Sequence, residues 1–545
     1  MNLVQVLQEQ AGGRPDAAAI IDVCGGRHRT MTFAELDLAS QRAATLLREA
    51  GLKPGDAVLI LHPMSAELYV ALLGIFRLGL VAMFLDPSAG KEHIERCCEV
   101  QPPRALIAST KAHWLRLTCP ALRRIPKKFS IGLPVPGAVS WSKLERLQPT
   151  TEICSVDTST PALLTFTSGS TAQPKAALRT QGFLLAQHRV LEKNLSLVPG
   201  EVDLTTLPIF LLANLASGVT SLIPNADLRF PGAIDPGPIV QQIATYQPTR
   251  TAASPAFLER LANCQLHNTM TPEPGTWIHP LSDFKKIYTG GAPVFPNLLR
   301  TLEQAAPRAE VTAVYGSTEA EPIAHIEGQR IGQEDISAML NGRGLLAGWP
   351  VREIKLKVIP DQWGKPIAGL THSEFANMCL WAGEAGEIVV SGEHVLTGYL
   401  HGHGDEESKF TVDGQRWHRT GDAGYFDSDG RLWLLGRCSS RINDSRGSLY
   451  PFTVECIANH YAGVRRSAII SHTGRRILAV EPFEALESPW LERGLNIGVQ
   501  FSGLKASLAW AQIDAIQVLR KLPVDKRHNA KIDYPALQAL LEKEK

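Results

Sequence analysis

The sequence has no C-x-x-C pair. Its nine cysteines are scattered, their number is odd, and the one close pair, Cys97 and Cys98, is adjacent, which argues against a zinc ribbon, a redox dithiol or a disulfide scaffold. A reducing, cytoplasmic setting is expected. Charge of one sign is lacking too: 55 lysines and arginines stand against 54 aspartates and glutamates. No overall field is left to recruit nucleic acid or an anionic membrane. The opening residues, Met1-Asn2-Leu3-Val4-Gln5, lack the basic start and apolar stretch of a secretory signal. The one membrane-like run, Leu68 to Leu85, carries Arg77 near its middle between Glu67 and Asp86. A charge at mid-depth is costly in lipid, so the run reads as a core helix entering the strand Val81-Ala82-Met83-Phe84-Leu85.

What is present is an ordinary folded composition, 44% hydrophobic and 20% charged, in 545 residues, which is too long for a single core. The first half alternates helical patterns, such as Phe33-Ala34-Glu35-Leu36 onward, with short apolar runs such as Ala57-Val58-Leu59-Ile60-Leu61. That texture predicts α/β units with a mostly parallel sheet. After about residue 350, Ile354-Lys355-Leu356-Lys357-Val358-Ile359 alternates at period two and Gly386 to Gly392 brackets a further strand, predicting antiparallel or barrel-like structure. Asp427-Ser428-Asp429-Gly430 lies between two aromatic and aliphatic runs, the pattern of a tight hairpin. It lacks the remaining oxygen ligands of a calcium loop. The polar stretch 438–447 marks the expected boundary between a region 1–436 and a region 437–545.

The sharpest local feature is Leu164-Thr165-Phe166 running into Thr167-Ser168-Gly169-Ser170-Thr171-Ala172-Gln173-Pro174-Lys175. Small residues let backbone N–H groups face a polyphosphate, hydroxyls add donors, and a lysine offsets its charge. Alone, the run reads equally as a solvated turn, and the G-x-x-x-x-G-K-[ST] spacing is absent. Its company favours the phosphate reading. Tyr315-Gly316-Ser317-Thr318-Glu319 offers an aromatic face, a flexible glycine, hydroxyls and a carboxylate able to hold a hard cation. Thr420-Gly421-Asp422 sets a second carboxylate in a loop, Arg437 follows the next hairpin, and the segment 522–532 ends in a basic loop with Lys531.

In this order the motifs resemble the ANL superfamily of adenylate-forming enzymes, from Met31-Thr32-Phe33-Ala34-Glu35-Leu36 to Lys531. The resemblance implies an α/β fold: a large N-terminal region of α/β subdomains with a β-barrel portion, and a smaller C-terminal α+β lid carrying a catalytic lysine. It implies ATP and Mg²⁺ as cofactors. Thr167, Ser168, Gly169, Ser170, Thr171 and Lys175 would form the phosphate loop, and Gly290, Gly291, Ala292, Pro293 and Tyr315 would border adenine. Gly316 and Ser317 belong to the same nucleotide motif, Thr318 would serve phosphate, and Glu319 would hold the metal. Asp422 would bind ribose, Arg437 would assist, and Lys531 would contact the reacting carboxylate and the α-phosphate.

Four departures narrow the expectation. Ala172 and Ala176 replace glycines common in the family, and Leu211-Leu212-Ala213 keeps the segment after Phe210 apolar, which suits an aliphatic acid or simply a core. Ser440 and Asn443 stand where the family places a pivot aspartate and a thioester-stage lysine, with one extra residue before Gly447. The tail Pro523-Val524-Asp525-Lys526-Arg527-His528-Asn529-Ala530-Lys531 departs from the usual P-x-x-x-x-G-K-x-x-R ending. Together these look like the olefin-biosynthesis β-lactone synthetases, which activate a long-chain 2-alkyl-3-hydroxy acid and let its own hydroxyl displace AMP. His528 would contact phosphate or structure the loop rather than act as a base. A fatty acyl-AMP or acyl-CoA ligase and a catalytically silent binding partner are the alternatives. The charge balance argues against a nucleic-acid partner and the apolar run is read as no transmembrane segment, while the resemblance suggests a thiolase-like condensing enzyme, a ketoreductase and a lactone decarboxylase alongside.

Overall fold

Apolar runs separated by amphipathic helices become parallel strands here, because a crossover helix returns the chain to the same end of the sheet. The computed structural model describes residues 2–86, 89–167, 174–264, 279–483, 501–525 and 530–543. One sheet has seven strands in the order Val139–Ser140, Lys127–Ile131, Ala105–Ser109, Ala57–Leu61, Val81–Phe84, Pro161–Thr167 and Lys175–Thr180, with every pair parallel but the last. Ala57–Leu61 is buried at every position, as a strand covered on both faces must be.

The helix Phe33–Glu49 opens with a capping box between Thr32 and Glu35, and with Ala66–Arg77 it joins the core on this sheet. A Cβ on Gly74 would lie 2.7 Å from that of Ala43, so only glycine admits this helix contact. The run from Leu68 to Leu85 is therefore core helix and strand, as expected. Arg77 is fully buried at the helix end; it pairs with Asp37 and donates from Nε to the Ser40 hydroxyl at 3.0 Å. Among the described residues no helix is long and apolar enough to cross a membrane, and all nine cysteines are free thiols.

The second sheet has fourteen strands. Thr220–Leu222, Val202–Thr205, Arg250–Ala253, Lys286–Gly290 and Glu310–Ser317 run parallel, and Ala320–Glu327 turns back beside the last of them. Leu345–Pro350 pairs with Ala320–Glu327 on one edge and with Leu432–Arg437 on the other. That double pairing carries the parallel sheet directly into the antiparallel strands Gln415–Phe426, Gly386–Ser391 and Lys355–Ile359. The antiparallel portion expected from the period-two pattern is thus an extension of the large sheet, an open path among the described residues. The hairpin at Asp427 is present: Asp427 Oδ1 accepts from the amides of Asp429 and Arg431, and Gly430 has φ +72°.

Beyond residue 441 the chain builds a separate hydrophobic cluster that includes Ile442, Leu449, Val454, Ile469, Leu478 and Leu508. Its three-stranded sheet consists of Val464–His472, Arg475–Pro482 and Ala515–Val518. The polar stretch before it is ordered: Cys438–Ser440 is one 3₁₀ turn, and Ile442–Asp444 pairs with Gly447–Leu449.

Removing one member of a buried ion pair strands the other charge, at a cost of about 3–5 kcal/mol. Asp37→Ala is therefore expected to lower the urea unfolding midpoint more than Arg77→Met, which removes the buried charge itself. Equal or reversed losses would show that Arg77 acts only by filling space.

Candidate active site

The site is assembled at the end of two paired strands where a side chain has no room. Lys286–Gly290 and Glu310–Ser317 are paired so that Gly290 lies beside Val314. A Cβ on Gly290 would fall 2.5 Å from the Val314 carbonyl oxygen, and Gly291 follows with φ +82°. Glycine is required at the first position by space and favoured at the second by backbone conformation. The segment Gly290-Gly291-Ala292-Pro293 is consequently held against the end of the strand that carries Tyr315, Gly316 and Ser317.

Tyr315 joins this edge to the antiparallel part of the sheet. Its hydroxyl donates to Asp422 Oδ2 at 2.7 Å. Burial, and the Asp422 carboxylate beside it, push the Tyr315 phenol well above its ordinary value, so it remains a donor. Asp422 stands opposite Arg437 in the strand register, with Arg437 Nε 3.4 Å from Asp422 Oδ1. Arg437 also donates to the Thr420 carbonyl at 2.9 Å, and the Asp422 amide donates to the Thr420 hydroxyl at 3.0 Å. Tyr315, Thr420, Asp422 and Arg437 are thus one hydrogen-bonded unit, with Thr420 buried, Tyr315 and Asp422 half-buried and the arginine exposed. A carboxylate so placed accepts hydroxyl donors from a sugar, and the guanidinium next to it favours anions.

Glu319 is the second centre. The Leu396 amide donates to its carbonyl at 2.7 Å, Ala320 forms a bridge with Val395, and Tyr399 donates its hydroxyl to Glu319 Oε1 at 2.8 Å. Lys409, itself buried, lies 5.5 Å from the Tyr399 ring centre and donates to the Leu396 carbonyl. His418 is Lys409's strand partner, and its Nδ1 is bonded to the Ser408 carbonyl at 3.1 Å, which assigns the proton to that nitrogen. Burial alone would raise the Glu319 carboxyl; the charge of His418 once that ring is protonated, the Tyr399 hydrogen bond and the Lys409 ammonium outweigh it and bring the group down to about 2. Burial and Lys409 lower His418 to about 3, so its ring is neutral, and burial brings Lys409 down to about 8. Tyr399 occupies Oε1. Thr318 is fixed through its carbonyl, which accepts from Arg179 at 2.8 Å, while Arg179 also donates to the Thr165 hydroxyl at 2.9 Å.

A magnesium ion suits this donor set. It binds through one or two carboxylates and the phosphates of its substrate instead of a complete protein cage. Glu319 supplies a charged oxygen, and among the described residues there is no cluster of three or more His, Cys, Asp or Glu that would trap a metal independently.

Thr167 and Lys175 face each other where the strands Pro161–Thr167 and Lys175–Thr180 pair, so they bracket the intervening loop. Ser168, Gly169, Ser170 and Thr171 lie outside the described residues, as does His528. Lys175 Nζ donates to Glu407 Oε2 at 2.7 Å, its stem lying against Gly404. Ala177, on the same strand, bridges to Tyr399, which links this hairpin to the Glu319 centre. Lys531 is positioned through its backbone: its amide donates to Asp525 Oδ1 at 3.0 Å, its carbonyl accepts from the Asp525 amide at 2.8 Å, and Ile532 bridges to Val524. The structure therefore unites Tyr315, Asp422 and Arg437 directly, and ties Thr318, Glu319 and Lys175 through Arg179, Tyr399 and the strand bridges. Lys531 sits in a turn of its own. Sequence reasoning missed Tyr399, Lys409, Arg179 and Glu407; the aromatic after Gly398 and the acidic run Asp405-Glu406-Glu407 were the only signals available.

A sequence model of the family described as "AMP-binding enzyme" matches residues 7–400. The chain is 30% identical to an olefin beta-lactone synthetase of Stenotrophomonas maltophilia, over 97% of this chain and 96% of that one. It is 29% identical to a protein of the same name from Xanthomonas campestris pv. campestris, over the same shares. In fold it is similar to a crystal structure of an anthranilate CoA ligase in complex with anthranoyl-AMP, with a TM-score of 0.79, 19% identity and coverage of 100% of this chain and 98% of that one. ATP-bound MatB from Rhodopseudomonas palustris gives a TM-score of 0.76 at 18% identity, covering all of both chains. A hydrogen-bonded Tyr315–Asp422–Arg437 unit beside an ionised Glu319, in a chain matched from near its start through the body of the large sheet, makes this protein an AMP-forming ligase of the AMP-binding, adenylate-forming ANL family.

Proposed function

We propose that the chain activates a long-chain 2-alkyl-3-hydroxy acid as its acyl-AMP and then closes it to a β-lactone. The observation that carries this reading is likeness over nearly the full length to two proteins named olefin beta-lactone synthetase. The altered linker supports it. Asn443, standing where the family places a lysine, accepts a hydrogen bond from the Ser448 hydroxyl at 2.6 Å within its own hairpin. Just before it Arg441 pairs with the buried Asp361 at 2.8 Å, and Tyr450 donates to the same carboxylate at 2.9 Å. These bonds hold the segment to the body of the molecule, where a thioester-forming relative needs a swing to admit CoA.

In the first step a carboxylate oxygen attacks the α-phosphorus of ATP and the bond to the β-phosphate bridging oxygen breaks, releasing pyrophosphate. Two anions are brought together, so the protein's task is charge and position. Lys175 and the loop 168–173 hold the phosphates, Asp422 holds the ribose, Arg437 and Tyr315 hold Asp422, and the residues 290–293 flank the base. Mg²⁺, held by Glu319, would neutralise phosphate charge. Lys531, carried by residues 437–545 acting as a lid, stabilises the entering carboxylate and the α-phosphate. In the second step the substrate's β-hydroxyl oxygen attacks the acyl carbon, its proton is lost to solvent, and the bond to AMP breaks. A condensation and ketone reduction must supply such an acid, and a decarboxylating enzyme is one consumer of the lactone.

Lys531→Ala is expected to slow acid-dependent pyrophosphate release about 100-fold or more while leaving the circular dichroism spectrum unchanged; normal release would remove Lys531 from the reaction. Asp422→Ala, which strands Tyr315 and Arg437, should raise the KM for ATP about tenfold or more, and an unaltered KM would separate this unit from nucleotide binding. Products formed from a 2-alkyl-3-hydroxy acid, ATP and Mg²⁺, with and without CoA, distinguish the chemistries by mass spectrometry and NMR. A CoA-independent product one water lighter than the acid, with β-lactone ring couplings, is expected. A CoA thioester or accumulated acyl-AMP would instead establish a ligase, and no ATP use with any acid a binding protein.

A further inference from the structure

The near-balance of charge over the whole chain hides one stretch that is not balanced. Residues 100–144 contain eight lysines and arginines and no aspartate or glutamate, the longest run of the chain without an acid. Six of the eight are exposed. The same stretch holds Trp114, Leu117 and Leu133, which are 69%, 69% and 72% exposed. Exposed apolar residues scattered singly are ordinary, whereas large ones gathered on a basic surface mark a docking face.

The fold brings the three apolar side chains to one edge of the seven-stranded sheet. Lys111, Trp114 and Leu117 recur at spacing three along the 3₁₀ turn Ala112–Trp114 and the short helix Leu115–Thr118, while His113, between them in sequence, is buried. They therefore share the outward face of this turn. Leu133 follows the strand Lys127–Ile131 and is tied beside it. The hydroxyls of Ser130 and Thr110 donate to the Leu133 carbonyl at 2.8 and 3.1 Å, and Arg116 donates to the Pro136 carbonyl at 3.3 Å. Arg123 and Arg124 close the next helix, Pro120–Arg124, and Lys127 opens the strand after it; all three are exposed.

Among the described residues none of the eight basic side chains makes an ion pair, and the acids of neighbouring elements are engaged elsewhere. On the helix Lys91–Val100, which packs against Pro120–Arg124, Glu92 pairs with Arg96 at 3.4 Å and Glu95 with Lys91 at 4.0 Å. Asp227, within reach of the Lys111 charge, pairs with Arg229 at 2.5 Å. Glu99 and Glu145 stand exposed at the two ends of the stretch. The basic face is thus left for an anionic partner.

We propose that this edge docks the protein on an anionic lipid surface, with the lysines and arginines against the headgroups and Trp114, Leu117 and Leu133 in the interface beneath them. The apolar tips decide the class of partner: a nucleic-acid backbone offers phosphates to the basic side chains but nothing to exposed leucines, whereas a bilayer accepts both. The strands Lys127–Ile131, Ala105–Ser109 and Pro161–Thr167 run in the same direction, so the docking edge is also the edge at which Thr167 ends. Ala105–Ser109 lies three strand spacings from Pro161–Thr167, roughly 14 Å at about 4.8 Å each. An acid with two long alkyl arms partitions into a bilayer, and a protein docked by this edge meets it there. That advantage rests on the acid-activating reading; the docking itself does not.

Co-sedimentation of the full chain with vesicles tests the proposal, using equal parts of phosphatidylglycerol and phosphatidylcholine, or phosphatidylcholine alone. At low salt the wild-type protein should bind the anionic vesicles about tenfold or more tighter than the neutral ones, and about 0.5 M NaCl should remove that preference. The triple variants Arg123→Glu/Arg124→Glu/Lys127→Glu and Trp114→Ser/Leu117→Ser/Leu133→Ser should each weaken binding about tenfold, with circular dichroism and urea midpoint unchanged. Equal affinity of the wild type for the two vesicle types, or undiminished binding by either variant, overturns the proposal. So does self-association without lipid that the serine variant abolishes, in a protein that binds no vesicles, which assigns the face to a second copy of the chain. Pyrophosphate release from detergent-dispersed acid should be the same in all three proteins; its absence from all of them defeats the activation reading and leaves the vesicle result standing.

Discussion

A carboxylate that must stay charged where water is scarce is the constraint around which this site is arranged. Glu319 is half-buried at the end of a sheet strand, and desolvation alone would favour its protonated, useless form. The remedy is assembled around it: a phenol that donates to one oxygen and a buried ammonium behind that phenol. Lys409 opens the strand Lys409–Val412, and Tyr399 is placed by its bridge to Ala177. The continuous path from the parallel strands into the antiparallel ones is therefore part of the electrostatics, since it brings Lys409 and His418 to the strand end that carries Glu319. The same continuity places Asp422 against Tyr315, so both carboxylates of the site depend on a single sheet being unbroken at Leu345–Pro350.

What the sequence disclosed and what it hid follow from the range of the interactions. The parallel half was legible because buried strands such as Ala57–Leu61 are written as unbroken apolar runs, and the hairpin at Asp427 because its turn chemistry is local. Tyr315, Glu319 and Asp422 were legible because each sits in a loop motif whose residue types state a chemistry. Tyr399 was not, since it lies 80 residues from the carboxylate it contacts, and Glu407 lies 232 from Lys175. Lys409 reads as an ordinary surface lysine in the acidic and polar stretch around it, yet the strand pairing turns it inward beneath Tyr399. Asp361 gave no signal at all, and its partners Arg441 and Tyr450 are defined only by the fold.

The junction at Asp361 bears on how far residues after 441 can be expected to move. A carboxylate only 4% exposed that accepts from a guanidinium and a phenol is costly to strand. The Phe295 and Phe452 rings meet edge-on nearby, and Asn297 donates to the Asn459 carbonyl at 2.8 Å. A large rotation of the C-terminal residues breaks all of these contacts together. An enzyme that alternates between two orientations needs the energies of both to be similar, and a buried ion pair present in only one of them works against that balance.

That bias has a chemical counterpart on the cyclising reading. A thioester-forming ligase must exchange its adenylation geometry for one that admits a second, large nucleophile, and the rotation is the means. A β-hydroxyl is already attached two carbons from the activated carboxyl, so its effective concentration at that carbon is set by internal rotation of the substrate and not by diffusion. The site gains nothing by opening between the steps, and opening would admit water to a reactive anhydride. A latch at Asp361 and a linker folded into its own hairpin are then consistent with one requirement: the acyl-AMP stays enclosed until its own hydroxyl has displaced the nucleotide.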